Sequence, residues 1–211
     1  MANTSRINGF RPVQYKNGSP YTGKARMYVH AAGDGTALHI GDLVIQGASS
    51  QDGLQAVTRA TDGTAGGLVG AVVGIDWVHP GGTTLQGGGT YNLNLSQVYI
   101  PVSTLAYVWV ADDPAIVFEA EFDSAGDMPD QTDVGLNYDF LVTAGNTTTG
   151  ASGMTIDASS EVTTAATPLK LVGLARRPDN DITDAATYQR GLVTINMHVF
   201  GAGGDAGTAG V

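Results

Sequence analysis

The chain has no cysteine, which excludes disulfide bridges and any metal centre or nucleophile built on thiolate. Charged residues make up only 14% and aromatics only 7%. Long surface helices, which draw on Glu, Lys, Arg and Leu, are poorly served by that mixture. No apolar run reaches the length of a membrane-spanning helix; the longest, Leu68 to Val78, is broken by Gly70, Gly74 and Asp76. The opening stretch MANTSRINGFRPVQYKNGSPYTG carries no apolar h-region and no cleavage pattern. A soluble protein made in a cytoplasm is therefore expected. Lys and Arg are missing altogether between Arg59 and Lys170.

What is abundant is glycine, 30 of 211 residues, together with Thr, Ala and Val. That composition suits short strands joined by Gly-rich turns and points to an all-β protein, a β-barrel or β-sandwich of the jelly-roll or tulip-like kind. The chain is long enough for one domain with a substantial core. Its net charge of −10 is unevenly spread. Arg6, Arg11, Lys16, Lys24 and Arg26 all precede the first acidic residue, Asp34, and five further basic residues then face all 20 acidic ones. A short basic arm on a long acidic body is the result.

Residues 1–24 read as an extended arm, because Pro12 and Pro20 exclude a continuous helix and Asn8-Gly9 and Asn17-Gly18 are turn dipeptides. Ile7, Phe10, Val13, Tyr15 and Tyr21 give it apolar anchors, for its own body or for a neighbour. Residues 25–200 form a β-rich body. Strands are expected at Ala25–His30, Asp42–Gln46, Leu54–Arg59, Leu68–Trp77, Gln97–Val102, Leu105–Val110, Ile116–Phe122, Tyr138–Thr143, Met154–Asp157, Leu169–Ala175 and Leu192–Phe200. Asp34-Gly35, Asp52-Gly53 and Asp62-Gly63 mark tight turns between them. In Ile116–Phe122 the alternation puts Phe118, Ala120 and Phe122 inward and Glu119 and Glu121 outward. Gly81–Gly89 reads as a loop tip, Thr183–Gln189 as a short helix, and residues 201–211 as a flexible Gly-rich tail.

Chemistry-bearing patterns are few. The acidic run Asp112, Asp113, Glu119, Glu121, Asp123, Asp127, Asp130, Asp133 and Asp139 matches no calcium loop, and it reads as a solvated or partner-facing surface rather than a metal site or glycosidase pair. His30, His39, His79 and His198 lack metal-ligand spacing, no GxSxG elbow is present, and the Gly-rich stretches lack the Lys-Ser/Thr ending of a phosphate loop. No catalytic, metal or cofactor-binding residue is nominated, and a non-enzyme without cofactor is expected. Five basic charges spread along an arm on an acidic body do not make a nucleic-acid surface. Arg6, Phe10, Arg11, Tyr15, Lys16 and Tyr21 are the candidate contacts to a partner protein or a sister subunit.

Three stretches resemble the structural proteins of tailed bacteriophage heads: MANTSRINGFRPV at the start, YNLNLSQVYIPVSTLAYVWVADDPAIVFEAEFD from Tyr91 to Asp123, and SGMTIDASSEVTTAATPLKLVGLARRPDNDITDAATYQRGLVTINMHVF from Ser152 to Phe200. They cover a little under half of the chain and contain no catalytic motif. The resemblance implies a capsid decoration, or cement, subunit on the outer surface of the virion. Such a subunit binds the major capsid protein, assembles with itself as a homotrimer, braces the DNA-filled head, and contacts neither nucleic acid nor membrane directly. The alternative is a receptor- or carbohydrate-binding β module of the tail or fibre, with Trp77 and Trp109 as nominal sugar platforms, although both fall in strand patterns that suggest core packing.

Overall fold

A computed structural model describes residues 3–64, 67–77, 98–165, 167–183 and 186–201. The chain is all-β. Its strands are β1 (Arg11–Tyr15), β2 (Arg26–His30), β3 (Leu43–Gln51), β4 (Leu54–Arg59), β5 (Leu68–Trp77), β6 (Ala106–Ala111), β7 (Ile116–Glu121), β8 (Asn137–Leu141), β9 (Thr155–Val162), β10 (Leu169–Leu174) and β11 (Arg190–Ile195). Among the described residues the one helical element is a 3₁₀ turn, Gln131–Asp133. It is started by a reciprocal capping pair between Asp130 and Asp133.

The strands form two units. β2-β4-β3-β5-β6 close into a five-stranded barrel, antiparallel except where β2 meets β4. The second unit is a six-stranded antiparallel sheet in the order β1-β7-β11-β10-β8-β9. It curls back on itself, since Ile156 of its last strand bridges Phe122 just after β7. The barrel is an excursion between β1 and β7, which pair through Arg11↔Glu119 and Tyr15↔Ile116. Strand residues therefore leave the sheet, wind the barrel and return.

Alternation decides which side chains fill each unit. Val108 and Val110 of β6 join Tyr28, Val44, Val57, Val69 and Val72 inside the barrel, all buried. A second cluster spans the two units: Leu43, Leu68, Ala71 and Ala111 from the barrel strands pack with Phe118, Phe122, Tyr138, Phe140, Ile156, Leu171 and Val193. Each large apolar side chain so buried contributes about 1.5–3 kcal/mol, so the shared cluster couples barrel to sheet. The β3–β4 hairpin turns at Asp52-Gly53 with φ of 54° and 77°, the left-handed pair that a two-residue hairpin turn requires.

Residues 3–24 are woven into this body. Phe10 is 1% exposed and meets Phe140 edge-on at 6.5 Å. β1 is an edge strand of the sheet, and its outer side is capped by its own chain through Tyr15 N–H to the Ser19 carbonyl and Tyr21 N–H to the Val13 carbonyl. Gly9, at φ +64°, crosses against Gly41; a Cβ there would lie 2.4 Å from the Gly41 carbonyl oxygen. The short helix expected at Thr183–Gln189 is absent from its described residues. There Tyr188 takes φ +56°, and the buried Gln189 side chain donates to the Thr183 carbonyl at 2.6 Å, making a loop. Gln97–Val102 contributes only the Ile100↔Leu38 bridge within its described residues. The loop tip at 81–89 and the tail beyond residue 201 lie outside the described residues. No helix among the described residues is long and apolar enough to cross a membrane.

Candidate functional site

The alternation of β7 holds, but its outward face is covered. Glu119 and Glu121 point away from the apolar core and are nevertheless 9% and 4% exposed. Arg177 Nη2 reaches Glu119 Oε1 at 2.8 Å, and Arg190 Nη1 shares that oxygen at 3.4 Å. Glu121 accepts from the Ser5 hydroxyl at 2.7 Å and the Arg6 backbone N–H at 2.6 Å, with Arg190 Nη2 at 3.7 Å. Arg190 also donates to the Arg6 carbonyl at 3.0 Å. Arg6 Nη1 meets Asp179 at 3.3 Å, and Asn3 exchanges two hydrogen bonds with the Asp181 backbone. The two glutamates thus act as a clasp that fastens residues 3–6 to the 177–190 segment. Removing one partner of such a pair is costly, because it leaves a buried carboxylate without its counter-charge.

The six candidate contact residues are not one surface. Arg6 belongs to the clasp. Phe10 is core and has no surface to offer a partner, a correction that follows from its position beside Phe140. Tyr15 and Tyr21 are half-buried against each other, ring centroids 6.1 Å apart, and against the shared core. Arg11 and Lys16 stay exposed on the β1 hairpin with Lys24, and none of the three makes an ion pair among the described residues. Desolvation holds the Lys16 ammonium below its ordinary range, with Lys170 acting the same way and Asp113 opposing. This hairpin is a basic surface that makes no ion pair among the described residues.

An acidic surface lies on the second unit. Asp127 and Glu161 are exposed, and burial together with Asp133, Asp127 and Asp130 raises the Glu161 carboxyl. Asp139 is raised by desolvation and by Asp157 and Asp62. Tyr138 donates to Glu161 at 3.2 Å, and burial and the same carboxylates push its phenol far up. Desolvation leads each of these shifts, and the neighbouring carboxylates add to it. Among the described residues no three His, Asp or Glu side chains converge as a metal ion would need.

The described histidines are built into the interior. His30 lies between the Thr104 and Thr36 carbonyls at 2.7 and 3.0 Å. His39 stacks on Tyr99 at 5.0 Å. His198 accepts from the Phe200 N–H at 3.0 Å, and burial pushes its pKa down to about 4. His79 is outside the described residues.

Trp109 departs from the expected core packing: it is on the outer face of β6 and 37% exposed. Its neighbour two residues back, Tyr107, is buried and donates to Asp52 of the β3–β4 hairpin tip. An aromatic inside a strand run gives no sign of whether a hairpin will cover it, so the sequence pattern could not separate the two. No family model matches the chain, and neither the curated proteins nor the solved structures yield a significant match.

Proposed function

We propose that the chain is a decoration subunit of a tailed-phage head, a non-enzymatic clamp that binds the outer face of the major capsid lattice and assembles with itself into a trimer. The phage assignment rests on the sequence resemblance of three stretches of the chain. The observation that carries the self-assembly is the division of surface charge across the six-stranded sheet: an exposed basic hairpin bearing Arg11, Lys16 and Lys24 at its β1 edge, and the acidic group Asp127, Asp130, Asp133 and Glu161 around β8 and β9. A basic partner relieves the crowding that raises Glu161. Hairpin against acidic group is a heterologous contact, and such a contact closes into a ring when its rotation permits.

A subunit that binds only the assembled lattice stabilises it by mass action, by about 2.7 kcal/mol per site at a hundredfold excess over Kd. A body in which barrel and sheet share one core transmits load between neighbours without hinging. Two measurements test the reading. Quantitative mass spectrometry of purified particles should find hundreds of copies per virion, and a handful of copies would return the chain to the tail. A solution mass of three times 21.6 kDa should fall to one subunit in Lys16→Glu/Arg11→Glu and recover when Asp127→Lys/Glu161→Lys is added. Trimers that survive the first pair of changes refute the charge contact.

A further inference from the structure

We infer that the outer face of the barrel carries a subsite for a neutral pyranose ring, with Trp109 as its floor and Asp76 at its rim. Trp109 is opposite Gly74 across the β5–β6 ladder and opposite Met27 across β2–β6. A Cβ at Gly74 would stand 3.4 Å from Trp109 Cδ1 and 3.8 Å from Cγ, so the pyrrole half of the indole leans over a position that has no side chain. Two residues on, and on the same face of β5, Asp76 accepts the indole N–H through Oδ2 at 3.1 Å. The pyrrole edge of the ring is thus held at two points along β5, at Gly74 and at Asp76. With that edge held against β5, the residue keeps 37% of its surface exposed.

An indole face attracts the C–H groups of a sugar, because the electron-rich centre of the indole meets their positive ends. Asp76 is exposed and hydrogen-bonds among the described residues only through Oδ2, leaving Oδ1 at the rim to accept from a sugar hydroxyl. A fixed carboxylate beside an open aromatic floor gives both contact area and orientation. The net charge of −10 disfavours sialylated, sulfated or phosphorylated glycans, so the ligand class is a neutral hexose or N-acetylhexosamine. An apolar protein partner fits less well, since Tyr107 and Val29 on the same face are already buried by the chain itself.

The test uses the full chain, labelled with ¹⁵N and titrated with the methyl glycosides of galactose, glucose, mannose and N-acetylglucosamine. The chain has two Trp, and the Trp109→Phe spectrum assigns the indole signals. At least one glycoside should shift the Trp109 indole resonance with millimolar saturation, and Trp109→Ala should abolish the shift. Asp76→Asn, which keeps an acceptor but loses the charge, should weaken binding about five-fold. Gly74→Val, which puts a side chain under the ring, should abolish binding while the far-UV spectrum is kept. No saturable shift with any of the four glycosides up to about 50 mM, or a shift that survives Trp109→Ala, overturns the proposal. Trp109→Ala should still decorate particles, so failure here is distinguishable from failure of the clamp reading.

Discussion

Phe10→Ala separates a strap from a structural strand. If residues 1–24 only lay on a neighbour, truncating Phe10 would weaken association and leave the stability of the isolated chain unchanged. Its ring is 1% exposed and packs among the side chains of both units, so truncation costs about 3–5 kcal/mol of folding free energy. The edge-on contact with Phe140 supplies about 0.5–1.5 kcal/mol of that, beyond area burial. For a chain of this size each kcal/mol moves Tm by about 2–4 °C, so the midpoint should fall by about 6–20 °C. Urea melts followed by far-UV circular dichroism give the free energy directly, and a cycle with Phe140→Ala gives the coupling. A loss below about 1 kcal/mol would show that Phe10 is not part of the core and would refute the integration of the segment.

Two other substitutions probe buried charge. Glu121→Ala should release residues 3–6, leaving the Ser5 hydroxyl and Arg6 N–H without their acceptor while Arg190 keeps Glu119; a loss of about 2–3 kcal/mol with faster amide exchange at residues 5–7 is expected, and unchanged exchange would count against the clasp. His198 titrates near 4 when folded and 6.5 when unfolded, so the unfolded chain takes up the extra proton and the native state loses about 3 kcal/mol between those pH values. His198→Asn keeps an acceptor for the Phe200 N–H, and its stability should fall that much less steeply from pH 6.5 to 4; parallel pH profiles for the two proteins would refute the buried neutral imidazole.

Most strands were legible because alternation is a local property. Leu54–Arg59 and Leu68–Trp77 occur with the bounds read from sequence; β3, β9 and β11 end well away from the bounds read, Gln97–Val102 forms no strand among its described residues, and β1 lies in the segment read as an extended arm. Asp52-Gly53 turns as its composition demands. What was not legible is pairing over long separations. Period two states that Glu119 faces opposite to Phe118, but not that Arg177, 58 residues later, returns to cover it. Phe10 looked like an anchor on a polar segment because its pocket is made by residues such as Phe140, far along the chain. Trp109 and Tyr107 share a face and an identical strand context, and only the reach of the β3–β4 tip buries one and leaves the other open.

The position of β1 ties the segment before residue 25 into the body while leaving the side chains of Arg11, Lys16 and Lys24 on the surface. β1 closes the excursion that begins at Arg26 and ends at Ala111, and its pairing with β7 joins residues more than a hundred positions apart. Loop-closure entropy makes such a contact costly until the barrel between has folded and shortened the span. β1 should therefore dock late, onto a barrel already formed, with Phe10 entering the shared cluster as the last large side chain. Deleting residues 1–24 would remove that closing step and expose the edge of β7, so a truncated chain that fails to decorate particles could fail by losing its fold. Charge changes confined to the exposed side chains of Arg11, Lys16 and Lys24 leave Phe10 and the β1–β7 ladder in place. Loss of assembly in those variants, with Tm unchanged, assigns the binding role to the hairpin's surface and the stabilising role to its buried face.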